Sequence, residues 1–135
     1  MIILKKISEN RMLQKEAKMK TNQEIFDQVA THLLTQNKQS LDDDCNCAYR
    51  GVNGLKCAVG CLIPDEDYDE NMEGQLIMSL LNDYPELREK IGLNDGNKYT
   101  LLGDLQNCHD SYSPETWESR LRNIAAFYGL NPAVL

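Results

Sequence analysis

The sequence predicts an α+β fold that is mainly α: a compact helical domain of about five helices carrying a small two-stranded β-hairpin. Three observations predict it. Apolar residues recur at helical spacing in several separate windows, and residues that start or stop helices bound those windows. One Asn-Gly pair lies between two short runs that contain apolar residues. A chain of 135 residues suits a single domain around one core.

Residues 1–20 are polar, rich in Lys and Met, and only raggedly helical through Ile3, Ile7, Met12 and Leu13, so they read as a basic N-terminal extension. The globular helical domain then covers residues 21–135, with Met19 as an alternative start just ahead of it. Thr21 and Glu24 form a capping box before the ladder Ile25, Phe26, Val29, Ala30, Leu33 and Leu34, a first helix that ends near Gln36. The polar stretch that follows closes in Asp42-Asp43-Asp44. No EF-hand spacing or turn glycine accompanies these carboxylates, so they read as a solvated loop rather than a calcium site.

Ala48-Tyr49-Arg50 and Leu55-Lys56-Cys57 flank Gly51-Val52-Asn53-Gly54, and this is the expected hairpin. Two short strands need helices beneath them to be stable. Cys57 to Ile63 is apolar throughout and stops at Pro64, which suits a short buried helix or turn packed closely through Ala58 and Gly60. An acidic stretch follows, from Asp65 to Glu70. Leu76, Ile77, Leu80 and Leu81 predict a second helix ending before Pro85, and a third runs from Pro85 to Gly92. Asn94 to Asn97 reads as a turn. Leu101, Leu102, Leu105, Cys108 and His109 share one face of a fourth helix. The last opens at Ser113-Pro114, presents Trp117, Leu121, Ile124, Ala125 and Tyr128 inward with Arg120 and Arg122 on its solvated side, and closes in a Schellman stop at Gly129-Leu130.

The formal charge is −7. Residues 1–20 hold six Lys or Arg against Glu9 and Glu16, a balance of +4 that leaves −11 on the remainder. An acidic body gains nothing from counterion release on a phosphate backbone, which excludes general nucleic-acid binding. No apolar run approaches the ~20 residues that cross a bilayer. The start lacks a long apolar stretch with a small-residue cleavage site, so cytoplasmic residence is expected. Five cysteines in a reducing compartment are buried thiols, metal ligands or a reactive site before they are disulfides.

Three constellations carry candidate chemistry. Cys47, Cys57, Cys61 and His109 would supply a closed zinc tetrahedron, although the C-x9-C-x3-C spacing lacks a tight knuckle. The competing reading is that these thiols fill space as small hydrophobes, with no cofactor at all. Cys57 would serve as a nucleophile if local amide dipoles and Lys56 lowered its pKa, with His109 as the base. Against this, Asp110 follows His109 directly on the helix and is expected to point away from that imidazole, and His109 itself reads as core. Tyr49, Arg50, Asp65, Glu66 and Tyr68 form a candidate binding surface for a protein or a small anionic ligand. The default role of Arg50 is an internal ion pair that ties the hairpin to the acidic loop.

Tyr49 to Glu66 reads Tyr-Arg-Gly-x-x-Gly-Leu-Lys-Cys-Ala-Val-Gly-Cys-Leu-Ile-x-Asp-Glu. With this motif the chain resembles a widespread group of small uncharacterised bacteriophage and prophage proteins, and the likeness extends from Gln23 to Ala125. A looser likeness links Gly54 to Leu62 with bacterial helical domains that share Gly-x-x-Cys-Ala-x-Gly-x-Leu and do not require Cys61. The resemblance brings no catalytic activity. It implies a non-enzymatic bacteriophage accessory protein that binds a host or viral component in the infected cytoplasm, in host takeover or counter-defence. A cysteine-dependent hydrolase or transferase and a zinc-stabilised interaction module are the alternatives.

Overall fold

Thr21 starts the first helix as its spacing predicts. Its hydroxyl accepts the Glu24 N–H at 3.1 Å, and the Glu24 carboxylate accepts the Thr21 N–H in return. The computed structural model describes residues 20–93 and 96–135. Among these, five α-helices follow in order: α1 (Asn22–Gln36), α2 (Ile77–Asp83), α3 (Pro85–Ile91), α4 (Gly96–Ser111) and α5 (Trp117–Tyr128). Short 3-10 turns bridge α1 to α2 and lead into α5. Residues 1–19, 94 and 95 lie outside the described residues, and with them most of the expected extension and half of the expected Asn94–Asn97 turn.

Helices α1, α4 and α5 pack on one another, and α2 packs on α3. Ile25, Phe26, Val29 and Leu33 of α1 meet Leu101, Leu102 and Leu105 of α4 and Trp117 and Leu121 of α5 in one continuous core. Each such side chain, once fully buried, contributes roughly 1.5–3 kcal/mol. Gly92 and Gly129 close α3 and α5 with positive φ, and in each case the next residue's N–H returns to the carbonyl five residues back. Leu76, expected on the apolar face of α2, is instead its N-cap and 81% exposed. Arg122 pairs with Glu118 on the surface, whereas Arg120 lies half-buried over the Tyr112 ring.

The expected two-stranded hairpin does not form: no β-strand occurs among the described residues, and the fold is helical. The turn signal itself is honoured, since Asn53 and Gly54 both take positive φ, and Gly51 N–H bonds the Leu55 carbonyl at 2.9 Å. Pairing stops after one antiparallel bridge, Arg50 to Lys56. Side chains then take the flanking backbone groups: those of Lys56 and Arg50, which face away from each other across the bridge, and the Tyr49 N–H, the next donor a ladder would use. The amide of Gln36 accepts Lys56 N–H at 2.9 Å and donates to Lys56 O at 2.8 Å. The carboxylate of Glu73 accepts the N–H groups of Tyr49 and Arg50 at 2.8 and 3.0 Å. On its other side the segment pairs with residues just after α1, through Ala48 N–H to Ser40 O and the Leu41–Cys47 bridge.

Two glycines allow this winding. A Cβ on Gly51 would stand 2.6 Å from both Leu41 O and Ser40 Oγ, and one on Gly60 would fall on the Tyr49 carbonyl. Gly103, inside α4, is the opposite case: a Cβ there meets no described atom within 4 Å. We therefore expect Gly60→Ala to lose ~1–3 kcal/mol by overpacking, and Gly103→Ala to gain ~0.5–1 kcal/mol by removing a helix-interior glycine. Urea midpoints of the two variants check this, and equal shifts would contradict the packing described.

Candidate functional site

The motif residues expected to face a partner are largely bound to one another. Tyr49 is buried, and its hydroxyl donates to the Gln75 carbonyl. Arg50 donates to Asp65 Oδ1 at 2.6 Å and to the Ile63 carbonyl at 2.7 Å, with its guanidinium over the Tyr68 ring. The Tyr68 hydroxyl donates to Glu73 at 2.7 Å. Asp65 is exposed and also receives Lys56 Nζ at 3.3 Å, so these two cations hold its carboxyl below the usual range. Glu66 is exposed. Arg50 thus makes the internal ion pair that is its default role.

The thiols are not activated. Cys57 is fully buried, and its sulfur accepts the Gly60 N–H at 3.3 Å. Burial pushes its pKa up to about 12, overriding the lowering expected from local amides and Lys56. Cys61 donates to Ala58 O at 3.1 Å and is likewise pushed up by burial to about 12. Cys47 is exposed, yet partial desolvation and the adjacent Asp110 raise it to about 11. Cys57 thus sits in the core as a buried, protonated thiol.

His109 is buried at the C-terminal end of α4. Its Nδ1 lies 2.7 Å from Asp110 Oδ1, so Asp110 does orient the imidazole, contrary to the direction expected from their adjacency. Its Nε2 receives the Ser40 backbone N–H at 2.8 Å. Because that N–H can only donate, the single proton of the neutral ring sits on Nδ1 and is given to Asp110. Both nitrogens are thereby engaged, Nε2 holding α4 to the loop after α1 and Nδ1 bonding within α4. Ser40, also fully buried, donates from Oγ toward the carbonyls of Ala48 at 2.8 Å and Leu55 at 3.1 Å.

The proposed four-ligand zinc set is not assembled. Among the described residues, the donor atoms that gather within 4.8 Å belong to Cys47, His109 and Asp110, without Cys57 or Cys61. A metal at Nδ1 would require the ring to give up its proton while Nε2 still accepts from Ser40. That is an imidazolate, so the donor set fits a metal only if the Ser40 bond breaks.

Beside this cluster opens a cleft of about 540 Å³. One wall is Cys47 to Tyr49, the second runs from Glu73 to Ser79, and the third is the face of α4 bearing Tyr99, Gly103, Gln106 and Asp110. Gln106 ties that α4 face to the segment behind it, accepting Val59 N–H at 2.9 Å, and donates along the helix to Asp110 at 2.9 Å. Leu76 and Met78, 81% and 58% exposed, stand on its second wall. Sequence spacing did not single out Leu76, Met78, Gly103 or Gln106 as site residues. The only signal for them was an apolar ladder that began one residue too early and a glycine in the middle of a helix.

No protein-family model, no curated protein and no solved structure matches the chain. What the site does is therefore read from its own residues.

The raised thiols set an expected pH response. The folded state holds Cys57 and Cys61 protonated, with pKa values near 12 against 9.0 for a free thiol. Their contribution to stability is fully present below about pH 9 and is lost as pH rises toward 12. Urea midpoints should fall progressively above pH 9, and native-state alkylation at pH 7.5 should label exposed Cys45 while sparing Cys57 and Cys61. A flat midpoint from pH 8 to 11, together with rapid labelling of Cys57, would contradict this assignment.

Proposed function

We propose that the protein is a non-enzymatic bacteriophage accessory protein that binds a host or viral component in the infected cell, in host takeover or counter-defence. The single observation that carries a binding role is the open cleft, which places exposed Leu76 and Met78 beside Cys47 to Tyr49, the segment that leads into the motif. Large apolar side chains left at the rim of a concave surface are characteristic of interaction sites. The chemistry of the thiols adds support. Cys47, Cys57 and Cys61 are held as thiols rather than thiolates, and the imidazole of His109 has both nitrogens engaged, so a thiolate nucleophile with a ready base is not assembled there. The motif shared with phage and prophage proteins supports the phage assignment and the cytoplasmic setting. Among the described residues no helix is long and apolar enough to cross a membrane.

In this reading the motif does two jobs. Its buried half, from Cys57 to Ile63, is core. Its first residue, Tyr49, together with Cys47 and Ala48 just before it, forms one wall of the binding cleft, fixed in place by Glu73 and Ser40. The tagged full chain, expressed in the infected native host, is expected to retain one partner reproducibly, and Leu76→Ser combined with Met78→Ser should release it. Recovery of nothing above background, or equal retention by the double variant, would count against this function.

A further inference from the structure

Gly103 sits in the interior of a 16-residue helix, where glycine is disfavoured relative to alanine. Neither usual reason for a glycine holds there. Its φ is not positive, and a Cβ would touch no described atom within 4 Å. Gly60 and Gly51 lie under backbone that a side chain would strike, whereas Gly103 faces open space. That space is the cleft, which Gly103 lines. A bare stretch of helix backbone at the floor of a groove lets another chain approach closely.

The polar groups of the cleft indicate what that chain carries. Its lining includes two carboxylates, Glu73 and Asp110, and no Lys or Arg. The described donors to Glu73 are two backbone N–H groups and the Tyr68 hydroxyl, all neutral. Asp110 is bound by the neutral Gln106 amide and by the His109 ring, whose Nε2 accepts a hydrogen bond from the Ser40 N–H. Neither carboxylate has a Lys or Arg partner among the described residues. Gln75, on the same lining, carries a buried Oε1 with no donor. The unmet demand of the site is therefore for positive charge and for N–H donors, while Leu76 and Met78 offer apolar contact beside it. An anionic ligand would meet two like charges in a partly desolvated groove.

We propose that the cleft is a docking groove for a peptide segment of a partner protein, a Lys or Arg side chain flanked by apolar residues, whose backbone passes over Gly103. This identifies the chemistry of the partner and rests on the binding role proposed above. Met78 suits such a groove because its flexible thioether adapts to differing apolar neighbours. The cation would lie toward Asp110, and the flanking apolar side chains would lie on Leu76 and Met78.

The test uses the full chain and two labelled peptide pools of equal length. One alternates Lys or Arg with Leu, Met or Phe, and the other carries Asp or Glu in place of the cations. Fluorescence anisotropy should show the basic pool binding more tightly, with affinity falling as salt rises. Gly103→Leu, which fills the groove, should weaken that binding by at least about tenfold while melting no lower than the parent chain. Met78→Lys, at an exposed position, should weaken it too, so the test survives if Gly103→Leu folds poorly. Equal binding of both pools, or undiminished binding by both variants, would overturn the proposal. A concentration-dependent dimer that Gly103→Leu dissolves would also overturn it, since a second copy would then be the occupant. If a partner captured from infected cells is retained equally by Gly103→Leu and Met78→Lys, the groove assignment fails while the binding role stands. If nothing is captured yet the basic pool binds in a Gly103-dependent way, the groove stands and the phage role fails.

Discussion

The fold depends on buried backbone being satisfied by side chains rather than by a sheet. Between α1 and α2 the chain runs for some forty residues without a strand, and at Ser40, Ala48–Tyr49 and Cys57–Gly60 that path passes under the surface. A buried N–H or carbonyl left unpaired costs about 1–3 kcal/mol, so a path like this is stable only if each group finds a partner. Four polar side chains provide them: Gln36 from the end of α1, Ser40 from the loop beyond it, Glu73 from the turn before α2, and Gln106 from α4. His109 locks this set to the bundle, receiving the Ser40 N–H on one nitrogen and giving its proton to Asp110 on the other. The cysteines sit inside that frame as packing. Their raised pKa values are a consequence of burial rather than a preparation for chemistry.

The helices were legible in the sequence because each depends on local signals. Thr21 and Glu24 cap α1, Pro85 and Gly92 bound α3, and Gly129 closes α5, and none of these needs knowledge of a distant neighbour. The Asn53-Gly54 turn was legible for the same reason. The hairpin was not, because a ladder forms only if it outcompetes every other donor and acceptor within reach. Here the Glu73 carboxylate, 24 residues away, takes the Tyr49 N–H that would carry the ladder on. Periodicity cannot show that a polar side chain has become a strand's partner. The orientation of Asp110 toward His109 was missed in a similar way: residues one apart diverge on an ideal helix, yet here the carboxylate turns back to the neighbouring Nδ1 at 2.7 Å in the last turn of α4.

The cleft follows from the same frame. Glu73 holds the Tyr49 end of the motif, Gln106 holds the Val59 end and bonds Asp110, and the gap between these anchors is where Gly103 leaves α4 bare. The sequence read the binding surface as Tyr49, Arg50, Asp65, Glu66 and Tyr68, the chemically conspicuous residues in and just after the motif. In the folded chain only Tyr49 of these lines the cleft, Arg50 pairs with Asp65, and plainer residues such as Leu76 and Met78 stand exposed on its second wall. A conspicuous motif thus marks where the fold is constrained, and the open surface lies next to it.

Amide hydrogen exchange tests the side-chain anchoring most directly. The N–H groups of Tyr49, Arg50, Lys56 and Val59 should be protected in the native protein, and Glu73→Ala should release Tyr49 and Arg50 together while Lys56 and Val59 stay protected. Free exchange of these four amides in the parent chain, or unchanged protection of Tyr49 and Arg50 in Glu73→Ala, would show that something other than these side chains holds the segment.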